Sequence, residues 1–176
     1  KQHELREMIG YVPQKGMLFS GDIKSNIAYG AEDKSFENIK RAAEVAQAED
    51  FIMEKEEGFN APVAQGGTNV SGGQKQRLSI ARALAKKAPI YIFDDSFSAL
   101  DFKTDAALRK ELKKSAGEST LLIVAQRIST IADADQIIVL NEGRIAGKGT
   151  HKELMQTCEI YREIASSQLD SGRGEM

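Results

Sequence analysis

The sequence holds one cysteine, Cys158, among 176 residues. A single thiol closes no internal disulfide, so a bridged framework is excluded and a reducing compartment suits the chain. No motif bearing a histidine surrounds Cys158, which therefore reads as a packed thiol rather than a nucleophile. No apolar run approaches the ~18 residues of a membrane span, so direct membrane insertion by this stretch is not expected. No secretory leader pattern is visible either. Neither sign of charge dominates: 24 Lys and Arg face 26 Asp and Glu, a net charge of −2. With no basic stripe carrying interleaved aromatics, nucleic acid is not an expected partner. Internal repeats and low-complexity tracts are missing. So is G-x-x-x-x-G-K-[S/T], the loop that cradles phosphates. Its nearest approach, Gly143-Arg144-Ile145-Ala146-Gly147-Lys148-Gly149-Thr150, fails on spacing and on the residue after Lys. It reads better as part of two strands joined by a turn at Asn141-Glu142-Gly143. At 41% apolar, the chain has the size and composition for one domain with a full core.

What is present is concentrated between Asn69 and Asp101. Ser71-Gly72-Gly73-Gln74 opens a run of good helix formers, with Leu78, Ala81, Leu84 and Ala85 on one apolar face. Ser71 is a favoured N-cap, and the glycines let a ligand approach bare backbone. A helix start offers free N–H groups and a positive dipole end, which together attract anions. Then Pro89-Ile90-Tyr91-Ile92-Phe93-Asp94-Asp95 reads as a buried parallel strand ending in two carboxylates. Ligands of open α/β sheets bind beyond the carboxyl ends of such strands. Asp94 is thus placed for Mg²⁺, which takes one or two carboxylates plus phosphate oxygens and water. A plain loop-to-helix junction and a plain strand end are the bland alternatives, and the two features in this order outweigh them.

Together with Ser98-Ala99-Leu100-Asp101, these segments resemble the signature, Walker B and D-loop of ATP-binding cassette (ABC) proteins. Upstream, Ile9-Gly10-Tyr11-Val12-Pro13-Gln14 is similar to the strand leading into the family's Q-loop. The following Leu18-Phe19-Ser20-Gly21-Asp22-Ile23 is worded as in exporters. The resemblance implies a P-loop NTPase-like α/β core, a parallel sheet with flanking helices, plus an all-helical subdomain bearing the signature. It implies ATP and Mg²⁺ as cofactors. Asp94 and Gln14 would serve the metal; Asp95, Gln126 and Gln14 would be catalytic. Ser71, Gly72, Gly73 and Gln74 would grip the ATP of a second nucleotide-binding domain, and Asp101 would communicate across the dimer. Residues 61–67 would meet the coupling helices of a transmembrane domain at the cytoplasmic face of a membrane.

The departures matter as much. Val70 stands for the usual Leu, a harmless exchange, and Gln65 for a common Glu. Asp95 stands where the family has Glu, so its carboxylate falls short by about 1.5 Å, one C–C bond. Displacements near 1 Å can cost about 10²-fold in rate. Gln126 stands where His is usual, and an amide can bond a γ-phosphate but carries no proton or charge. A chain with a sound signature and a blunted catalytic pair suits one half of a heterodimeric exporter. A competent homodimeric exporter and a soluble cassette protein are the alternatives. The missing phosphate loop, in the family placed before the Q-loop, reads as an N-terminal truncation.

The expected organisation is a core strand and Q-loop over 1–19, a helical subdomain over 20–87, and a core over 88–165. A polar, frayed tail follows over 166–176. A first strand is expected over 5–12, then a helix with Phe36, Ile39, Ala43 and Ala46 on one face, started by Asp33 or Ser35. From residue 88 strands and helices alternate (90–94, 104–114, 120–125, 137–140), the pattern of a parallel sheet covered by helices. Thr150-His151-Lys152-Glu153 is a capping box opening C-terminal helices, with His151 and His3 at the surface.

Overall fold

The computed structural model describes residues 1–171, arranged as two compact units, Lys1–Val124 and the part beginning at Ala125. The first contains α1 (Gln2–Glu7), β1 (Ile9–Val12), β2 (Gly21–Asp22), α2 (Ile23–Ala28), α3 (Phe36–Val45) and α4 (Glu49–Met53). It continues through β3 (Pro62–Val63), α5 (Gly72–Ala85), β4 (Ile90–Asp94), α6 (Phe102–Ser115) and β5 (Thr120–Val124). The strand expected over 5–12 begins only at Ile9, because Glu4, Leu5 and Arg6 are strong helix formers. No residue of α1 is buried.

β1, β4 and β5 form a parallel sheet in the order β1-β4-β5, with Gly10 opposite Tyr91 and Val12 opposite Phe93. Side chains alternate across it. Gly10, Val12, Tyr91 and Phe93 are buried, whereas Tyr11, Leu122 and Val124 are exposed. Gly10 is glycine because the strands approach an aromatic ring: a Cβ there would lie 2.6 Å from Tyr91 Cδ1.

The stretch over 20–87 is mainly helical, as expected, apart from the two-residue strands β2 and β3, which pair antiparallel. Ser35 caps α3 by accepting from the Asn38 N–H, and Ile39, Ala43 and Ala46 are fully buried. Phe36 of the same expected face stays half-exposed and meets the Phe59 ring edge-on, 5.2 Å between centroids. α5 buries Leu78, Ala81 and Ala85. From its outer side Arg82 reaches back: Nε donates to Asn26 O, NH1 to Met17 O, NH2 to Asn26 Oδ1, and the guanidinium lies 5.0 Å over the Phe19 ring. Desolvation pulls its pKa down, yet every one of those bonds is charge-assisted.

The second unit contains α7 (Ile128–Ile131), β6 (Ile137–Asn141), β7 (Arg144–Gly149), α8 (His151–Thr157) and α9 (Glu159–Ser171). β6 does not extend a parallel sheet. It pairs antiparallel with β7 as a hairpin whose turn, at Glu142 and Gly143, takes positive φ at both residues. Thr150 and Glu153 cap α8 reciprocally, and Cys158 is buried with Ile137, Val139, Leu154 and Tyr161. His151 is less superficial than expected: it is half-buried, with Nδ1 2.8 Å from the Tyr161 hydroxyl. α9 runs past Ile164 to Ser171, into the stretch expected to fray; residues 172–176 lie outside the described ones.

Replacing Gly10 by Ala forces the Tyr91 ring from its place and should cost about 1–3 kcal/mol in urea denaturation. Gly72→Ala, where an added Cβ meets nothing, should stay within about 0.5 kcal/mol.

Candidate functional site

Asp94 is the last residue of β4, and Asp95 follows at φ 46° with its N–H donating to Val124 O at 3.0 Å. That left-handed backbone is one that Asp tolerates better than most residues. The neighbouring strand β1 and the loop that follows it supply each carboxylate with a donor. The Tyr11 hydroxyl donates to Asp94 Oδ2 at 3.1 Å, and Gln14 Nε2 donates to Asp95 Oδ2 at 3.0 Å. The bond to Asp94 is the main reason the Tyr11 phenol is pushed up from its ordinary pKa. Behind the pair, the buried Ser96 hydroxyl donates to Val12 O at 3.0 Å and ties the two strand ends together. Gln14 and Asp95 are therefore brought together, with Asp94 next to them.

This set fits Mg²⁺. Asp94 and the Gln14 side-chain carbonyl offer hard oxygens, the donor type Mg²⁺ takes, beyond the strands' carboxyl ends. No group of three or more His, Cys, Asp or Glu able to hold a metal occurs among the described residues. A metal here would complete its shell with water and phosphate, as Mg²⁺ does.

Ser71 caps α5: its Oγ accepts from Gln74 N–H at 3.2 Å, and Gln74 Oε1 accepts from Ser71 N–H at 3.1 Å. The Ser71 hydroxyl proton remains available for an acceptor outside the chain. A Cβ on Gly72 would touch nothing, and one on Gly73 would meet only Ala99 O at 3.5 Å. Nothing inside the unit requires these glycines, so their bare backbone suits an approach from outside. The Ala99 contact also places the turn of Ser98 and Ala99, both exposed, beside the start of α5.

Two further side chains lock these parts together, and sequence reading gave neither a role. Gln76 brackets Gln14: its Oε1 accepts from Gly16 N–H at 3.1 Å and its Nε2 donates to Pro13 O at 3.2 Å. Arg77 donates from NH1 to Gln47 O at 2.6 Å and lies 4.7 Å over the Phe51 ring, while its buried Nε has no partner. Burial lowers the Arg77 pKa, and the charge of Asp101 is the main opposing influence. Asp101 itself caps α6, accepting from Thr104 N–H at 2.9 Å and from the Thr104 hydroxyl at 2.7 Å. These bonds, the backbone one foremost, hold its carboxyl below the usual range.

Gln126 belongs to the second unit and is exposed. Its carbonyl accepts from Gln168 Nε2 at 2.7 Å, and Gln168 Oε1 accepts from Ile128 N–H at 2.8 Å. The loop after β5 is thus clamped by a residue of α9, which no motif announces.

The family described as ABC transporter matches residues 1–98. An uncharacterised ABC transporter ATP-binding protein of Bacillus subtilis, YfiB, is 48% identical over 94% of this chain and 28% of its own length. A putative export ATP-binding/permease protein of Rickettsia felis is 40% identical over 94% of this chain and 29% of its own. A solved bacterial Atm1-family ABC exporter with ATP bound superposes with a TM-score of 0.92 at 40% identity, covering 96% of this chain and 30% of that one. The chain therefore spans under a third of the relatives it matches.

The Asp101 carboxyl, followed by NMR, should titrate below an ordinary aspartate. The stabilisation it brings is present above the unfolded pKa of about 3.9 and is lost as pH falls through the lower folded value. Thr104→Val, which removes only the hydroxyl donor, should return the midpoint part of the way.

Proposed function

This chain belongs to the ABC transporter family, and from that premise we propose that it is the ATP-binding part of an exporter whose own catalytic site is impaired. It works at the cytoplasmic face of a membrane, paired head to tail with a second nucleotide-binding domain. Each ATP lies between the acidic strand end of one partner and the signature turn of the other. The observations that carry this reading are the pairing of Gln14 with Asp95 at 3.0 Å and, separately, a capped signature turn whose Ser71 and Gly72 are exposed.

In this reading Asp94 and Gln14 would hold Mg²⁺ together with water and phosphate oxygens. Bound Mg²⁺ supplies the neutralisation of charge that phosphoryl transfer requires. Asp95 orients the attacking water and accepts its proton, and the Gln126 amide donates to the γ-phosphate. Ser71 O–H and the N–H groups of Gly72 and Gly73 donate to the γ-phosphate bound by the partner, aided by the dipole of α5. Asp101 and Ser98 relay the partner's occupancy through Arg77 and the start of α5. Residues 61–67, including Gln65, meet the coupling helices of the transmembrane part.

Asp95 is a methylene shorter than Glu, and Gln126 carries no charge, so this chain's own site binds nucleotide and turns it over slowly. The partner, bearing Glu and His, hydrolyses with this chain's signature. A second reading has a specific observation behind it. Asp suits the left-handed backbone at residue 95 better than Glu does, and Gln14 already reaches its carboxylate. Under that reading the transporter is a competent homodimer.

The double replacement Asp95→Glu with Gln126→His separates the two. Measured as steady-state ATP turnover by the transporter, it should raise the rate about tenfold or more if the site is impaired. An unchanged rate would favour the homodimer and sink the impaired-site reading.

A further inference from the structure

Besides Gln14 in the loop after β1, the strand itself sends Tyr11 to the acidic strand end. Tyr11 lies opposite Ile92 in the parallel register, on the face away from the buried Val12. Two residues on, Asp94 emerges on the same side as Ile92, and the phenol crosses to it diagonally. The hydroxyl engages Oδ2 alone; among the described residues no hydrogen bond reaches Oδ1. A carboxylate turns about a broad, nearly two-fold torsion, so an unrestrained Asp94 would sample many orientations. Mg²⁺ demands near-octahedral geometry and tolerates little such wandering.

We infer that Tyr11 is a positioning residue for the divalent metal, fixing the rotation of Asp94 so that its second oxygen is held ready as a ligand. The phenol does not itself touch metal or nucleotide. It plays the part that carboxylates and carbonyls play behind metal-binding histidines, where an outer partner sets the direction of the inner one. The ring is 54% exposed, so the hydroxyl is a positioning device more than a packing element. Tyr11→Phe deletes that donor and leaves the ring. This inference rests on the reading of Asp94 as the metal carboxylate.

The test uses the intact transporter with ATP and Mn²⁺ as the probe, free Mn²⁺ being followed by electron paramagnetic resonance. Outer-partner losses typically cost 10–100-fold in metal affinity, and for a half-exposed donor the lower end applies. Tyr11→Phe should weaken Mn²⁺ binding about tenfold. Its deficit in ATP turnover should be largest at limiting Mg²⁺ and shrink as Mg²⁺ is raised. A purely structural role would move the thermal midpoint and leave the Mn²⁺ constant alone, which would overturn the inference. Tighter Mn²⁺ binding would overturn it too, because it would make Tyr11 a competitor for the carboxylate. Asp94→Asn serves as the control. If it abolishes Mn²⁺ binding while Tyr11→Phe changes nothing, only the role of Tyr11 falls. If Asp94→Asn leaves binding intact, the metal site itself is misassigned and the inference falls with it.

Discussion

The parallel pairing of β1 with β4 is the constraint on which the rest depends. It joins residues about eighty positions apart and sets them in a fixed register, with Val12 against Phe93 in the core. Because side chains alternate, that one register decides two things at once. It commits Val12, Tyr91 and Phe93 to the interior, and it sends Tyr11 and Gln14 to the two carboxylates. A slip of one residue would bury Tyr11, expose Val12 and leave Asp94 and Asp95 without either donor. The buried Ser96 to Val12 bond closes the strand ends against such a slip.

The helical part is attached to that pairing by polar side chains rather than by apolar contact alone. Gln76 holds the backbone on both sides of Gln14, so the helix that starts at Ser71 also fixes the loop that reaches Asp95. Arg82 of the same helix grips Met17 and Asn26, further along the same segment. A displacement of α5 must therefore be felt at Gln14. The unsatisfied Nε of Arg77 marks the one place among the described residues where a buried side-chain polar atom lacks a partner. It sits on α5 within reach of the charge of Asp101.

Much of this was legible in the sequence, and the reasons differ from place to place. The Ser71 cap, the buried face of α5 and the strand ending in Asp94 are local patterns, set by capping chemistry and periodicity, and they hold. The Thr150 capping box holds for the same reason. The first strand was drawn too long because residues 2–7 carry helix formers whose pattern is ambiguous at that length. The β6 strand was assigned to the parallel sheet by alternation, although the Asn141-Glu142-Gly143 turn already signalled a hairpin. The contacts of Tyr11, Gln76 and Gln168 were not legible, since they reach across forty residues or more and no spacing rule encodes them.

The central claim is that Ser71 to Gln74 and the adjacent Ser98-Ala99 turn face a second cassette and close on ATP. Its most direct test is a distance between spin labels placed at Ala99 and at the matching turn of the partner cassette in the intact transporter. The account predicts a short, narrow distance that appears with ATP and Mg²⁺ and is lost in their absence. A separation that nucleotide leaves unchanged would contradict it.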